Sequence, residues 1–133
     1  MTARAFADTN IAIYAEGYAG KAQRATAILE SSPVISSQVV TETISTLTRK
    51  YGFTLTEAHE VVLSLLDLCE LVPVGADTIR EAIRLAARYQ LSQWDSQIVA
   101  AALLAGCETL YSEDLQHNQL FDERLRVINP FVG

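Results

Sequence analysis

Short apolar runs alternate along the chain with longer stretches of helical periodicity, and this alternation constrains the fold more than any other feature. It is the pattern of an α/β domain with a parallel sheet. The candidate strands are Ala3 to Phe6, running on to Asp8, then Pro33 to Ser36, Cys69 to Val74, Glu108 to Ser112 and Leu125 to Asn129. We predict one domain over residues 1–133, because no repeat or linker divides the sequence.

Helical patterns fill the intervals between these runs, over residues 19–32, 37–52, 54–68, 78–90 and 91–106. Two pairs of residues have the spacing of a capping box, Thr54 with Glu57 and Thr78 with Glu81. The last stretch is almost entirely apolar after its first turn, so we expect it to be buried. It nevertheless carries an acid, Asp95, near its start.

Composition excludes several classes of protein. No apolar stretch reaches the ~18 residues of a transmembrane helix, and the N-terminus lacks a secretory signal, so we expect a cytoplasmic protein. Cys69 and Cys107 lie among apolar residues, and we expect buried, reduced thiols, with a disulfide as the alternative. The net charge of −6 argues against a broad basic surface for nucleic acid, but it is compatible with acids that bind cations.

The acids follow the predicted strands in a regular way. Asp8 ends the first strand, Glu42 lies in the first turns of the helix after the second strand, and Asp114 lies just past the fourth strand. In an open parallel sheet, the carboxyl ends of the strands and the N-termini of the following helices share one edge, where ligands bind. We expect these three acids to converge there. Asp95 joins them if the loop before its helix returns the chain to that edge.

Carboxylates gathered at one edge repel one another, and a divalent cation relieves this repulsion. Mg²⁺ and Mn²⁺ prefer carboxylate and water oxygens, and such a site beside a polar groove indicates chemistry on phosphate esters. Each acid also has an ordinary structural interpretation: Asp8 as a helix N-cap, Glu42 as an exposed helix residue, Asp95 in a capping box with Ser92, and Asp114 as a turn residue.

The sequence resembles the PIN domain, and in particular the VapC-type toxins of bacterial toxin–antitoxin pairs. The resemblance rests on FADTNI at Phe6 to Ile11, Glu42 in SQVVTE, WDSQIVAAAL at Trp94 to Leu103 and LYSEDLQHNQ at Leu110 to Gln119. These motifs occur in the family's order over nearly the whole chain. Asn118 stands where many relatives have glycine; asparagine tolerates a left-handed turn, so we expect little effect.

The resemblance implies a three-layer α/β/α fold with a five-stranded parallel sheet, and endonucleolytic cleavage of RNA with Mg²⁺ or Mn²⁺ as cofactor. The catalytic and metal-binding acids would be Asp8, Glu42, Asp95 and Asp114. Asn10 and Ser112 would orient them by hydrogen bonds. The implied partners are an RNA substrate, a cognate antitoxin and a second copy of the chain in a homodimer.

Several other residues have weaker assignments. Arg49 and Lys50 are candidates for RNA contacts, although cations at a helix C-terminus are the commoner interpretation. We expect Trp94 to pack beside its own helix rather than stack on a base. His117 is a candidate for proton transfer. Glu113 is expected to be a solvated charge, with metal contact as the alternative.

Two alternatives stay open at this point. The apolar stripe of the helix over 54–68 is either entirely core or partly a surface for a partner. The function is either nuclease activity or that of a non-catalytic PIN-like module that binds RNA or protein, although such a module would be expected to lack one of the four acids. A response-regulator receiver domain is excluded, because the first strand lacks adjacent acids and no lysine follows the last strands.

Overall fold

Five parallel strands and one short antiparallel strand form the sheet in the computed structural model, which describes residues 4–18 and 20–132. The strands are β1 (Ala5–Ala7), β2 (Val34–Ser36), β3 (Glu70–Val72), β4 (Thr109–Tyr111), β5 (Leu120–Phe121) and β6 (Leu125–Ile128). Their order across the sheet is β3-β2-β1-β4-β6-β5. The predicted parallel strands are confirmed, although Ala3 lies outside the described residues.

Six helices flank the sheet in the part of the chain that is described, which confirms the predicted α/β class. They are α1 (Thr9–Tyr14), α2 (Ala22–Glu30), α3 (Ser37–Lys50), α4 (Leu55–Leu68), α5 (Ala76–Tyr89) and α6 (Gln93–Leu104). The antiparallel strand β5 was not predicted. It is two residues long, too short to show any alternation of apolar and polar side chains.

The strand register brings the carboxyl ends of the central strands to one level. Ala7 of β1 pairs with Tyr111 of β4, and Tyr111 pairs in turn with Ile128 of β6. The ladder continues for one bond beyond the strands, because the Asp8 amide donates to the Tyr111 carbonyl at 2.9 Å and the Ser112 amide to that of Ile128 at 3.1 Å. Asp8 and Ser112 therefore leave the sheet side by side.

Helix α6 is the most deeply buried helix, as its composition predicts. Its buried residues begin at Ser96 and include Val99, Ala100 and Ala102, each 0% exposed. Small side chains at these positions allow close packing. The expectation that Trp94 packs beside this helix is wrong, because its side chain is 67% exposed. The first turn of α6 projects beyond the packed core, which starts only at Ser96.

The helix caps agree with the sequence in one case and differ in another. The capping box of α4 is confirmed: the Glu57 amide donates to the Thr54 hydroxyl at 3.1 Å, and the Thr54 amide to Glu57 at 2.8 Å. The predicted box of Thr78 with Glu81 is wrong. Helix α5 begins after Gly75, so Thr78 lies in its first turn and accepts a hydrogen bond from the Gly75 amide.

Three smaller expectations are also resolved. Cys69 and Cys107 are free, buried thiols, and burial raises the pKa of each to about 11. Asn118 adopts a left-handed backbone, with a φ of 70°. Among residues 4–18 and 20–132, none of the helices has the length and apolarity needed to cross a membrane.

The capping box of α4 predicts a measurable loss of stability in Thr54→Ala. This variant leaves the Glu57 amide without its partner, so the free energy of unfolding should fall by about 1 kcal/mol. Urea denaturation followed by circular dichroism measures the change. Thr56→Ala, two residues further into the same first turn, removes a hydroxyl that caps nothing and serves as the control. Equal losses in both variants would contradict the assigned cap.

Candidate active site

Asp8 is a buried carboxylate at the carboxyl end of β1. Its side chain is held from two directions: the Thr9 amide donates to Oδ1 at 2.7 Å, and the Ser112 hydroxyl donates to Oδ2 at 2.8 Å. Burial raises the pKa of Asp8 to about 7; these two hydrogen bonds oppose the rise, and the charges of Asp114 and Glu42 add to it. Asp8 therefore caps α1 and also belongs to a cluster of acids.

Two polar residues link Asp8 to the loop after β4. The Ser112 hydroxyl, besides donating to Asp8, accepts a hydrogen bond from the Asp114 amide at 3.1 Å. The Asn10 amide group donates to Asp114 Oδ2 at 3.3 Å, and its oxygen accepts from the Glu113 amide at 3.2 Å. Asn10 and Ser112 thus contact the acids that sequence analysis expected them to orient. Asp114 is exposed at the mouth of the site.

Glu42 extends from α3 toward the same site and is oriented by a residue that the sequence analysis missed. Gln38, one helical turn earlier and buried, donates from Nε2 to Glu42 Oε1 at 2.6 Å. Burial raises the pKa of Glu42; the Gln38 hydrogen bond lowers it, and the charges of Asp95 and Asp114 raise it further. The spacing of four residues on one helix was the available signal for this pair.

Gln38 also positions the start of α6. Its Nε2 donates to the Trp94 carbonyl at 3.0 Å, and its Oε1 accepts from Gln97 Nε2 at 2.9 Å. The first turn of α6 therefore lies against the first turn of α3, which follows β2. This contact holds the start of α6, and with it Asp95, at the edge of the sheet where the other acids lie.

Asp95 is half-buried in the first turn of α6. Ser92 caps the helix by accepting a hydrogen bond from the Asp95 amide at 3.1 Å, so the capping interpretation holds for the backbone. Burial raises the pKa of the Asp95 carboxyl, the charge of Asp114 raises it further, and the Ser92 hydroxyl opposes the rise. The Asp95 carboxyl therefore interacts with the charge of Asp114, although the backbone amide of Asp95 is part of a helix cap.

The donor set fits a hydrated divalent cation rather than a dehydrated one. Among residues 4–18 and 20–132, no three His, Cys, Asp or Glu side chains lie close enough together to bind the same metal ion directly. Mg²⁺ binds typically through one or two carboxylates and keeps several waters. Nearby acids raise the pKa of Asp8, Glu42 and Asp95, and the site is open to solvent at Asp114, which suits such an ion. Which of the four acids contact it directly stays a prediction.

A cavity of about 200 Å³ adjoins the acids on the side of α1 and α3. Glu42, Asp114, Lys50 and Thr9 are among the residues that line it. Lys50 therefore lies beside the acids. The Thr9 hydroxyl is buried and has no hydrogen-bond partner in the described structure, so it is free for a ligand. Arg49 lies on the outer surface of α3, where it contacts Ser45.

Glu113 and His117 have other partners than the acids. Glu113 forms an ion pair with Lys21 and accepts a hydrogen bond from the Tyr14 hydroxyl at 2.5 Å. Its pKa is lowered: burial acts to raise it, but these two contacts outweigh burial. Glu113 is therefore a paired charge rather than the solvated one expected. His117 Nδ1 accepts from the Asn129 amide at 2.9 Å and fixes the loop before β5 to the end of β6.

Comparison with known proteins matches this arrangement to a family. The model of the PIN domain family matches residues 5–121. A search of curated proteins by sequence finds no match.

Solved structures share the fold at low sequence identity. A toxin–antitoxin complex from Klebsiella pneumoniae aligns with a TM-score of 0.73 and 22% identity, over 96% of this chain and 98% of that one. VapC20 of Mycobacterium tuberculosis, described as a toxin that cleaves the sarcin–ricin loop, aligns with a TM-score of 0.68 and 23% identity, over 83% and 89%. DNA-bound VapBC from Salmonella typhimurium aligns with a TM-score of 0.69 and 16% identity, over 95% and 97%.

The raised pKa of Asp8 predicts how the stability of the metal-free protein depends on pH. The unfolded chain ionises this carboxyl near its ordinary value of 3.8, and the folded chain at about 7. The folded state thus binds the proton more tightly than the unfolded state does. The stabilisation that protonated Asp8 contributes is complete below about pH 4 and is lost as the pH rises through 7. At 1.36 kcal/mol per pH unit, the loss is about 4 kcal/mol.

Asp8→Asn mimics the neutral carboxyl and should remove this loss. Urea unfolding in EDTA should give similar stabilities for variant and wild type near pH 4, and a more stable variant near pH 8. Asp67→Asn, which removes an exposed acid of α4, is the control for the change in net charge. Parallel pH profiles for wild type and Asp8→Asn would show that the buried carboxyl is not perturbed.

Proposed function

The chain belongs to the PIN domain family, and on that premise we propose that it is a divalent-metal-dependent endoribonuclease, the toxin of a toxin–antitoxin pair. The observation that carries the proposal is the cluster of Asp8, Glu42, Asp95 and Asp114: burial raises the pKa of Asp8, Glu42 and Asp95, and the charges of neighbouring acids in the cluster raise it further. Keeping such a cluster ionised at neutral pH favours a bound cation. The cytoplasm, where RNA is abundant and thiols stay reduced, is the compartment we propose.

Mg²⁺ or Mn²⁺ held by these acids would polarise a phosphoryl oxygen of the substrate and lower the pKa of a coordinated water. The chain's own groups supply the geometry. Ser112 fixes Asp8 Oδ2 and the backbone of Asp114 with one hydroxyl. Gln38 fixes Glu42 against the first turn of α6. These contacts hold the carboxylates before substrate arrives, so little reorganisation accompanies the reaction.

Lys50 is the cation that we assign to the RNA backbone. Lys50 lines the same cavity as Glu42 and Asp114, which supports a contact between its ammonium group and a phosphate next to the scissile one. Arg49 would contact RNA further out on the surface of α3. With a net charge of −6, the chain has little general attraction for RNA. We therefore expect affinity to depend on the bound cation and on local contacts.

We also propose an antitoxin partner and a homodimer. The solved toxin–antitoxin complexes that share the fold support the first. The outer face of α4 supports a protein contact in general: Leu63 and Leu66, three residues apart on that face, are 60% and 40% exposed. Val62 and Leu65 of the same helix are buried, so the apolar stripe is divided between core and surface. Neighbouring exposed leucines on one helix face suit a protein interface.

Cleavage of RNA by the purified protein tests the proposed activity. A mixed cellular RNA pool should be cut with Mg²⁺ or Mn²⁺ and left intact with EDTA. Asp95→Asn should lower the cleavage rate by about 100-fold or more, because it removes a charge that contacts or orients the cation. The helix cap survives in this variant, since it uses the Asp95 amide.

Asp77→Asn is the matched control, because it makes the same change in the first turn of the neighbouring helix α5. It should cleave as wild type does. Absence of cleavage by folded wild-type protein with either metal would favour the alternative function, a non-catalytic module that binds RNA or protein. Cleavage that survives in Asp95→Asn would remove Asp95 from the site.

The hydrogen bond from Gln38 to Glu42 predicts that a residue outside the four acids affects metal binding. Gln38→Ala frees Glu42 from its orienting amide, and loss of such a contact typically lowers metal affinity or activity by about 10- to 100-fold. Calorimetric titration with Mn²⁺ measures the affinity independently of cleavage. Gln23→Ala, an exposed glutamine of α2, is the control. Unchanged Mn²⁺ affinity and cleavage in Gln38→Ala would show that Glu42 needs no support.

A further inference from the structure

Trp94 is exposed beside the acids although nothing in the fold requires it there. It is the only tryptophan of the chain, and 67% of its side chain is exposed. It directly precedes Asp95 in the first turn of α6. Indole is large and mostly apolar, and tryptophan is highly buried on average. An exposed indole next to a candidate active site therefore indicates a binding function.

The indole borders a cavity of about 240 Å³ between the first turns of α3 and α6. Glu42 lines this cavity, as do Gln38, Gln97 and Val74. Glu42 also lines the cavity of Lys50 on its other side. The two cavities thus flank one carboxylate of the site, and a strand of RNA cleaved there would extend into both.

The backbone of Trp94 is linked to one of the carboxylates. One nitrogen, Gln38 Nε2, donates both to the Trp94 carbonyl at 3.0 Å and to Glu42 Oε1 at 2.6 Å. Gln97 Nε2 donates to Gln38 Oε1 at 2.9 Å and closes the cavity floor with amide groups. The backbone of Trp94 therefore cannot move without moving the orienting partner of Glu42.

The chemistry of this cavity suits a nucleobase and not a phosphate. The residues that line it carry no positive charge, and Glu42 would repel a second phosphate. A flat aromatic face beside amide groups matches a base, which has a π-face for stacking and polar edges for hydrogen bonds. The phosphates of the same strand have the cation site and Lys50 on the other side of Glu42.

We propose that Trp94 is a stacking platform for the nucleobase next to the scissile phosphate, in the cavity that it shares with Glu42. This inference rests on the proposed function, because it takes RNA as the ligand of the site. It assigns Trp94 a contact with substrate in place of the packing role that the sequence had suggested.

Fluorescence of the single tryptophan tests the contact directly. Wild-type protein is mixed with a short single-stranded RNA in Mg²⁺ in a stopped-flow instrument, and the emission is read before cleavage proceeds. Stacking should quench the emission, and an oligonucleotide with abasic residues throughout should leave it unchanged. Equal responses to both ligands, or no response when binding is seen by another method, would overturn the proposal.

Substitution of the indole gives the second readout. Trp94→Ala should weaken RNA binding and raise KM by about tenfold or more, the effect of losing a stacked base, with kcat changed less. Trp94→Tyr, which keeps an aromatic face, should recover most of the loss. Leu104→Ala removes a large exposed side chain, 54% exposed, at the other end of α6 and should resemble wild type.

The outcomes separate this inference from the proposed function. If wild type cleaves RNA and Trp94→Ala binds and cleaves equally well, the nuclease stands and the stacking role fails. If wild type does not cleave RNA, but RNA quenches the fluorescence and the abasic oligonucleotide does not, the stacking role of Trp94 is supported and the proposed nuclease activity is wrong. If Trp94→Ala impairs only the binding of an antitoxin, the indole belongs to a protein interface and the proposal is wrong.

Discussion

Repulsion between carboxylates at the carboxyl edge of the sheet is the interaction on which the rest of the site depends. At Asp8 this repulsion adds to a larger effect, because desolvation by burial is the main cause that opposes its ionisation and the charges of Asp114 and Glu42 act in the same direction. Hydrogen bonds from the Ser112 hydroxyl and the Thr9 amide offset part of this cost and fix the carboxylate in place, but its pKa stays raised. A divalent cation is the simple means of balancing such charges, and the fold then has a high-energy site in its metal-free state.

The backbone sets up this arrangement before any side chain contributes. The register of β1, β4 and β6 places Asp8 and Ser112 at adjacent positions beyond the strands. Helix α3 follows β2 directly and directs Glu42 toward the same edge, and Gln38 then links α3 to the start of α6. One buried amide therefore connects the Glu42 carboxylate with the backbone of Trp94 in the first turn of α6.

The sequence predicted most of the strands and the convergence of the acids, and the predictions that were wrong or missing have physical causes. Parallel strands were predicted because apolar runs and helical periodicity alternate, and convergence of the acids followed from the rule that strand ends share an edge. Strand β5 was missed because two residues carry no period. The cap of α5 was misplaced because Gly75 needs no side chain to begin the helix. Exposure of Trp94 depends on how far α6 projects beyond the core, which is a tertiary property that local spacing does not encode.

The most direct test of the account is the number of protons released when Mn²⁺ binds, measured by calorimetry in buffers of different ionisation enthalpy. Because the pKa of Asp8 is about 7 in the metal-free protein, the carboxyl is about half protonated at pH 7 and must lose that proton as the cation binds. We expect release of about half a proton per ion at pH 7 and almost none at pH 9, and Asp8→Asn should abolish the difference. Binding without proton release at pH 7, or no binding at all, would contradict a metal site built on repelling carboxylates.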